Sequence, residues 1–255
     1  EVRAWFQPQL STDSGAVTGI EALARWHHPD RGVLAPAAFL PAIEGSELME
    51  LLGQSMLTQS LAALAEFDRK GLRVPTVAVN FSAQELQDPQ LPERLRWTLD
   101  RFQLAPARLT VEVLESVVAG EGDEMIASNI GRIAAMGCGV DLDDFGTGNA
   151  SITAIRRFAL NRLKIDRSFI REVDQNRDQQ KLVTAILSLA ERLGLETLAE
   201  GVETQGEHAL LAQLGCGHVQ GYVIARPMPV EDLSGWLASH RDSYAQALKI
   251  GVKTR

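Results

Sequence analysis

Cysteine is scarce. The chain has only Cys138 and Cys216, far apart and without CxxC spacing, which argues against a disulfide framework and a thiolate-bound zinc. A reducing compartment, the cytoplasm, fits that usage. Long hydrophobic runs are missing too: none approaches the ~20 residues that a membrane-spanning helix needs, and no signal-peptide pattern opens the chain. Positive charge is in short supply, with 25 Lys and Arg against 33 Asp and Glu, a formal net charge of −8, and the basic residues scattered. That argues against a protein that coats a DNA or RNA polymer through its phosphates. A small anionic ligand stays open, because divalent cations held by carboxylates reverse the local charge. The first residues, Glu1-Val2-Arg3, enter a strand-like run directly and without an initiator Met, which reads as a segment cut from a longer protein.

What the chain does have is core material, with 45% apolar residues over a length of 255, suited to one α/β barrel of about 250 residues. β-rich runs near 4–7, 19–23, 77–80, 109–112, 139–143, 162–165, 197–200 and 218–220 alternate with amphipathic stretches at 48–70, 92–102, 124–136, 179–193 and 207–214. Strand and helix periods in alternation predict a mostly parallel sheet with helices outside it. Gly71, Gly137, Gly194 and Gly215 stand just past the predicted helix ends, where a left-handed residue closes the last turn. No linker interrupts the pattern, so 1–255 is read as one domain whose polar tail after Leu237 forms a last helix.

Polar side chains stand at or just after the ends of these apolar runs: Glu21, Asn80, Glu112, Asp143 with Asp144, Lys164, Glu200 and Gln220. In a barrel all the strand C-terminal ends open on one side, so these residues converge at one mouth. Any one of them alone reads as a solvated strand end or a cap; the set together reads as a site. Carboxylates and an amide, without Cys or His, are hard oxygen ligands suited to Mg²⁺ or Mn²⁺. The adjacent Asp143 and Asp144 suit two ions sharing a bridging carboxylate, an arrangement that clamps both oxygens of an in-line phosphoryl displacement. The residues by themselves reach a two-metal phosphodiesterase.

The motifs go further. Glu21-Ala22-Leu23, extended by Arg25-Trp26, His28-Pro29, Gly32, Pro36, Phe39 and Pro41, is followed in order by Asn80-Phe81-Ser82, Val111-Glu112-Val113-Leu114-Glu115-Ser116 and Asp143-Asp144-Phe145-Gly146-Thr147-Gly148. After these come Leu163-Lys164-Ile165-Asp166, Ala199-Glu200-Gly201-Val202-Glu203-Thr204 and Gln220-Gly221-Tyr222. From Phe6 to about Pro229 the sequence resembles the EAL domains of bacterial cyclic di-GMP phosphodiesterases. The resemblance implies a TIM-type (β/α)8 barrel with one antiparallel strand, and hydrolysis of cyclic di-GMP to linear pGpG with two Mg²⁺ or Mn²⁺ ions; Ca²⁺, with its larger and looser coordination shell, is expected to inhibit. It implies that Glu21, Asn80, Glu112 and Asp143 hold one ion, and that Asp143, Asp144 and Glu200 hold the second. Lys164 would orient the attacking water, Glu200 would double as general base, and Glu203 and Gln220 would support the water network. Gln7, Arg25 and Asp166 would contact the ligand, the Arg25 guanidinium meeting a phosphate. Glu115 would anchor the loop of Gly146, Thr147 and Gly148, which the family couples to homodimer formation. Asn149-Ala150-Ser151 replaces the Tyr-Ser-Ser of many members, which bears on that coupling and leaves the implied ligands in place.

Several features carry less than they suggest. His27 and His28 have no ligand role in the pattern, and His208, His218 and His240 are unclustered. Gly146-Thr147-Gly148 lacks the third glycine of a dinucleotide fingerprint, since position 151 is Ser. The four Trp residues are scattered packing anchors. Two rival readings remain: an EAL domain that senses cyclic di-GMP or docks a protein without hydrolysis, and a barrel hydrolase for another phosphodiester. Inactive members lose ligands, the lysine or the glutamates, and this chain retains them all.

Overall fold

The computed structural model describes residues 1–119, 124–148 and 151–252, with side chains as far as residue 241. Nine strands form its sheet: β1 (Val2–Ser11), β2 (Val17–His28), β3 (Gly32–Leu34), β4 (Val77–Asn80), β5 (Leu109–Leu114), β6 (Gly139–Phe145), β7 (Arg162–Ile165), β8 (Glu196–Ala199) and β9 (His218–Val219). Around the barrel the order is β1-β2-β4-β5-β6-β7-β8-β9, closed by Leu10 and Ser11 of β1 against Val219 and His218 of β9. The expected eight-stranded barrel is therefore present, and its antiparallel member is β1. Residues 12–16 are too few for the dozen or more that a parallel crossover requires. The chain turns back instead, through Gly15 at φ 70°, and pairs β1 with β2 from Val2↔Trp26 to Leu10↔Val17. β3, which the sequence reading does not contain, hangs on the far end of β2 through pairs Trp26↔Leu34 to His28↔Gly32; three largely solvent-facing residues leave no apolar alternation to read.

The long predicted helices are present as Glu47–Arg69, Leu91–Arg101, Glu124–Met136, Arg177–Leu193 and Gln205–Leu214, with Val230–Val252 closing the described chain. Gly71, Gly137, Gly194 and Gly215 all have positive φ, as expected past a helix end. Stripes at three- and four-residue spacing, such as Leu57, Leu61 and Leu64 or Ile126, Ile130 and Ile133, pack in one cluster with outward side chains of the strands, among them Val111 and Leu142, while Val183 and Leu187 cluster with Leu163. Single turns at Ala83–Gln87, Glu115–Ala119, Ile152–Ile155 and Arg167–Ile170 depart from the predicted pattern. They span too little chain to show a helical period. Between β6 and β7 the one described helix is such a turn, so the strict strand-helix alternation lapses there.

The other face of each strand explains the site. Side chains alternate along a strand, and the residues two apart are Gln7 with Gln9, Thr110 with Glu112, Asp141 with Asp143 and Arg162 with Lys164, all buried. The apolar residues between them go to the helices. The barrel interior is thus polar, with its lower layer beneath the layer at the mouth.

Candidate metal centre

Lys164 lies at the middle of the mouth, with no exposed side-chain surface. Its Nζ is 2.8 Å from Glu112 Oε1, 2.9 Å from Asp143 Oδ1, 2.9 Å from Glu200 Oε1 and 3.7 Å from Glu21 Oε2. Four acids from β2, β5, β6 and the turn after β8 so converge on one ammonium. Glu21 is further held by Asn80 Nδ2 at 3.2 Å and Gln220 Nε2 at 2.5 Å. The predicted strand ends need a small correction: β8 and β9 stop at Ala199 and Val219, so Glu200 and Gln220 belong to the turns that follow. Gln220 is pinned there by its backbone, with its N–H on Ala199 and its carbonyl accepting from Val202. Gly221 makes that approach possible, since a Cβ would stand 2.1 Å from the Val202 carbonyl oxygen.

Consecutive strand residues point to opposite faces, yet Asp143 and Asp144 both serve this mouth. The backbone supplies the reason. The register of β6 against β7 breaks between Leu142 and Phe145, and Asp144 has φ 54°, the left-handed region that non-glycine residues seldom enter. The turn brings the Asp144 carboxylate round beside its neighbour. Two groups of oxygens result, Glu21 with Glu112 and Asp143, and Asp143 with Asp144 and Glu200, each with its atoms within 4.8 Å of one another. Asp143 belongs to both. The loop beyond is tied down by Glu115, whose Oε2 accepts from Gly146 N at 2.7 Å and Gly148 N at 3.1 Å. Gly146, at φ 100°, presses on the Phe169 ring, where a Cβ would come within 2.4 Å. Asn149 and Ala150 lie outside the described residues.

The electrostatics mark a site short of positive charge. Burial, then Glu21, holds the Glu112 carboxyl well above the usual range, against the pull of Lys164. Burial pushes Glu200 up to about 8, with Lys164 opposing. Burial, then Asp143 and Asp166, takes Asp144 up to about 6. For Glu21 burial acts upward, but Lys164 and the hydrogen bonds from Gln220 and Asn80 outweigh it and leave its carboxyl lowered. Burial likewise opposes the Lys164 charge, and Asp143, Glu112, Glu200 and Glu21 outweigh it, so the ammonium is held well above its usual value. Five carboxylates against one ammonium leave four negative charges when all are ionised, the charge of two divalent cations. Both Glu112 oxygens are also buried without an aligned hydrogen-bond donor among the described residues. A hard-oxygen donor set with more carboxylate charge than Lys164 balances fits divalent ions of the Mg²⁺ and Mn²⁺ class.

The remaining predicted residues divide. Gln7 is buried at the cluster's edge, its oxygen accepting from Gln220 Nε2 at 3.1 Å and its amide donating to the Ala225 carbonyl at 2.9 Å. Arg25 donates to the Ala24 carbonyl at 2.8 Å and lies over the Trp5 ring at 5.7 Å, partly exposed at the rim. Asp166 caps the turn after β7 through Ser168 N at 2.9 Å. Glu203 is not brought in: it is exposed, and among the described residues only its backbone N–H is engaged, by Glu207 Oε2. Sequence reasoning missed Gln9, Asp141 and Arg162, which lie buried one layer below; the signal was a polar residue two positions from Gln7, Asp143 and Lys164.

The model of the family described as EAL domain matches residues 1–227. The chain belongs to the EAL domain family. Among EAL relatives, it is 36% identical over 228 residues to the bifunctional diguanylate cyclase/cyclic di-GMP phosphodiesterase MucR of Pseudomonas aeruginosa, which covers 89% of this chain and 33% of that protein. It is 33% identical over 229 residues to the cyclic di-GMP phosphodiesterase RocR of the same organism, covering 90% of this chain and 58% of that one. The chain thus spans about a third to somewhat over half of the length of these relatives. The solved complex of the MucR phosphodiesterase with c-di-GMP superposes with a TM-score of 0.85 at 36% identity, covering 91% of this chain and 94% of that one. The EAL domain of Mycobacterium smegmatis DcpA gives 0.81 at 26% identity, covering 94% and 99%.

Proposed function

We propose that this EAL domain hydrolyses cyclic di-GMP to linear pGpG in bacterial second-messenger signalling. The observation that carries the reading is the two carboxylate groups that share Asp143 and surround Lys164, in a chain similar to a phosphodiesterase solved with that ligand. Glu21, Asn80, Glu112 and Asp143 would hold one divalent ion, Asp143, Asp144 and Glu200 the other. When bound, Mg²⁺ or Mn²⁺ supplies positive charge to the phosphodiester oxygens and acidifies the attacking water.

The chain's own residues do the rest. Lys164, buried and charged, donates a hydrogen bond to the attacking water and holds its lone pair toward phosphorus. Glu200 would take the water's proton at its carboxylate, for which it must first be ionised, while the new P–O bond forms, the P–O3′ bond breaks and the 3′ oxygen leaves as a hydroxyl with a proton from solvent. Gln220 keeps Glu21 in place, and Gln7, Arg25 and Asp166 meet the ligand at the rim, Arg25 with a charge-assisted bond to a phosphate. Ca²⁺, larger and looser in its coordination, is expected to occupy the site and inhibit. The segment is read as one domain of a longer cytoplasmic protein acting as a homodimer; among the described residues no helix is long and apolar enough to cross a membrane.

The test is incubation with cyclic di-GMP and Mg²⁺ or Mn²⁺ followed by product separation. Appearance of pGpG supports the reading, while bound but intact cyclic di-GMP under both ions replaces it with a sensor. Equal cleavage of a generic phosphodiester would remove the substrate assignment and leave the chemistry.

A further inference from the structure

Beneath the carboxylates a line of buried polar side chains crosses the barrel. Asp141 Oδ2 accepts from Arg162 Nε at 2.8 Å and from Nη2 at 2.5 Å, both side chains being under a tenth exposed. Arg162 Nη2 also donates to Gln9 Oε1 at 3.0 Å. Gln9 Nε2 donates to Gln220 Oε1 at 2.9 Å, and Gln220 Nε2 donates to Glu21 Oε2 at 2.5 Å and to Gln7 Oε1 at 3.1 Å.

A guanidinium has donors and no acceptor, whereas an amide has one end of each kind. Arg162 therefore compels Gln9 to turn its oxygen inward, which leaves the Gln9 amide nitrogen for Gln220. Gln220 must then present its own nitrogen to Glu21. Reversing either amide would set donor on donor or acceptor on acceptor in a space closed to water, where such mismatches cost most. Gln7 agrees with this sense, since its nitrogen is taken by the Ala225 carbonyl and only its oxygen faces Gln220. The donor-only group at one end and the carboxylate at the other give every link one direction.

We infer that Arg162, acting through Gln9, is a positioning residue that locks the Gln220 amide as a donor to Glu21 Oε2 and so, together with Asn80 Nδ2 on Oε1, fixes the orientation in which the Glu21 carboxylate meets a cation. This rests on the metal reading of the site above. It adds residues of the lower layer to the set that governs cation affinity, although none of them touches the ion.

The test is Mn²⁺ binding by calorimetry on the purified domain without substrate, comparing Gln9→Glu with Gln9→Met. The first keeps an acceptor for Arg162 but cannot donate to Gln220, whose amide must turn its oxygen on Glu21; the second removes the link without imposing the wrong sense. Gln9→Glu is expected to weaken Mn²⁺ binding by about 10–100-fold, the usual range for lost outer partners of a metal ligand, and Gln9→Met by less. The side-chain amide resonances of Gln220 in ¹⁵N spectra should shift in Gln9→Glu. Mn²⁺ affinity within twofold of wild type, or equal losses in the two variants, would overturn the inference. Should Gln9→Glu fail to fold, the comparison moves to Arg162→Lys against the double variant Asp141→Leu/Arg162→Met. The donor-keeping variant should hold Mn²⁺ affinity and the apolar pair lose more than about twofold, in the range expected of Gln9→Met; equal affinities would again overturn it. If the variants show this ranking while the wild-type domain leaves cyclic di-GMP intact, the hydrolase reading is refuted and this inference is supported.

Discussion

Replacing Lys164 with Met removes the one ammonium that, among the described residues, contacts Glu112, Asp143, Glu200 and Glu21 together. Removing one partner of a buried ion pair costs about 3–5 kcal/mol, because the other charge is left buried and uncompensated. Here the acids have a partial escape, since Glu200 is already pushed up to about 8 and Glu112 is held well above the usual range, so both can keep protons. Lys164 itself, with its folded pKa raised, gives its full stabilisation below its unfolded pKa, which includes the whole neutral range. In the cation-free protein the penalty of Lys164→Met should therefore be at the low end near pH 6 and grow toward pH 9 as the acids ionise. At roughly 2–4 °C per kcal/mol for a domain of this size, the Tm should fall by about 6–20 °C. Saturating Mn²⁺ at about 100 times its Kd would return about 2.7 kcal/mol, more than half of a mid-range loss. Turnover of cyclic di-GMP should drop by about 10²–10⁴-fold, the span typical of a lost proton-transfer or water-orienting group. Mn²⁺ affinity should not fall, because a competing positive charge has gone. Thermal melts with and without Mn²⁺ at both pH values, beside a product assay, measure all three quantities. An unchanged cation-free Tm at pH 9, or full turnover with Mn²⁺, would refute the reasoning.

Glu21→Ala should lower cation occupancy and turnover together, which calorimetry and product assay would show; occupancy lost without turnover would contradict the assigned role. For pH, carboxyls at about 8 and about 6 in Glu200 and Asp144 hold protons that a cation must displace, so Mn²⁺ affinity should rise as pH rises from 5.5 to 8.5, with proton release visible in buffers of different ionisation enthalpy. The same raised values mean that the folded, cation-free state binds more protons than the unfolded one, so its stability should decline as pH climbs from the ordinary carboxyl range toward 8. A flat profile in either measurement would count against the site's electrostatics. Glu115→Gln weakens the acceptor that holds Gly146 and Gly148; the loss of about 1–3 kcal/mol should appear as faster amide hydrogen exchange at these two residues, and unchanged exchange would disprove the anchor.

The barrel was legible because its strands carry apolar residues outward and end in charge, and because glycines close the long helices. That one strand runs antiparallel followed from the family resemblance, but which strand it is, and the physical reason, a five-residue turn, needed the sheet pairing. Short elements were not legible: β3 and the single turns such as Ala83–Gln87 contain too few residues to repeat a pattern. In the site, the strand-end acids and Lys164 could be named in advance because a barrel mouth collects strand ends. The left-handed Asp144, which lets two neighbours serve one face, could not, since nothing in the composition of Asp143-Asp144 states a φ. Gln9, Asp141 and Arg162 went unread for the opposite reason, as they sit within strands where a buried polar residue is rare and its partners lie far off in sequence.

The most direct measurement is cyclic di-GMP turnover by the domain stripped of divalent ions, as Mn²⁺ is titrated back in H₂¹⁸O and the products are weighed by mass spectrometry. No product is expected without the ion, and on its addition pGpG carrying a single ¹⁸O in the new phosphate. Product formed without any divalent ion, or cyclic di-GMP that binds with Mn²⁺ or Mg²⁺ present and stays intact, would contradict it.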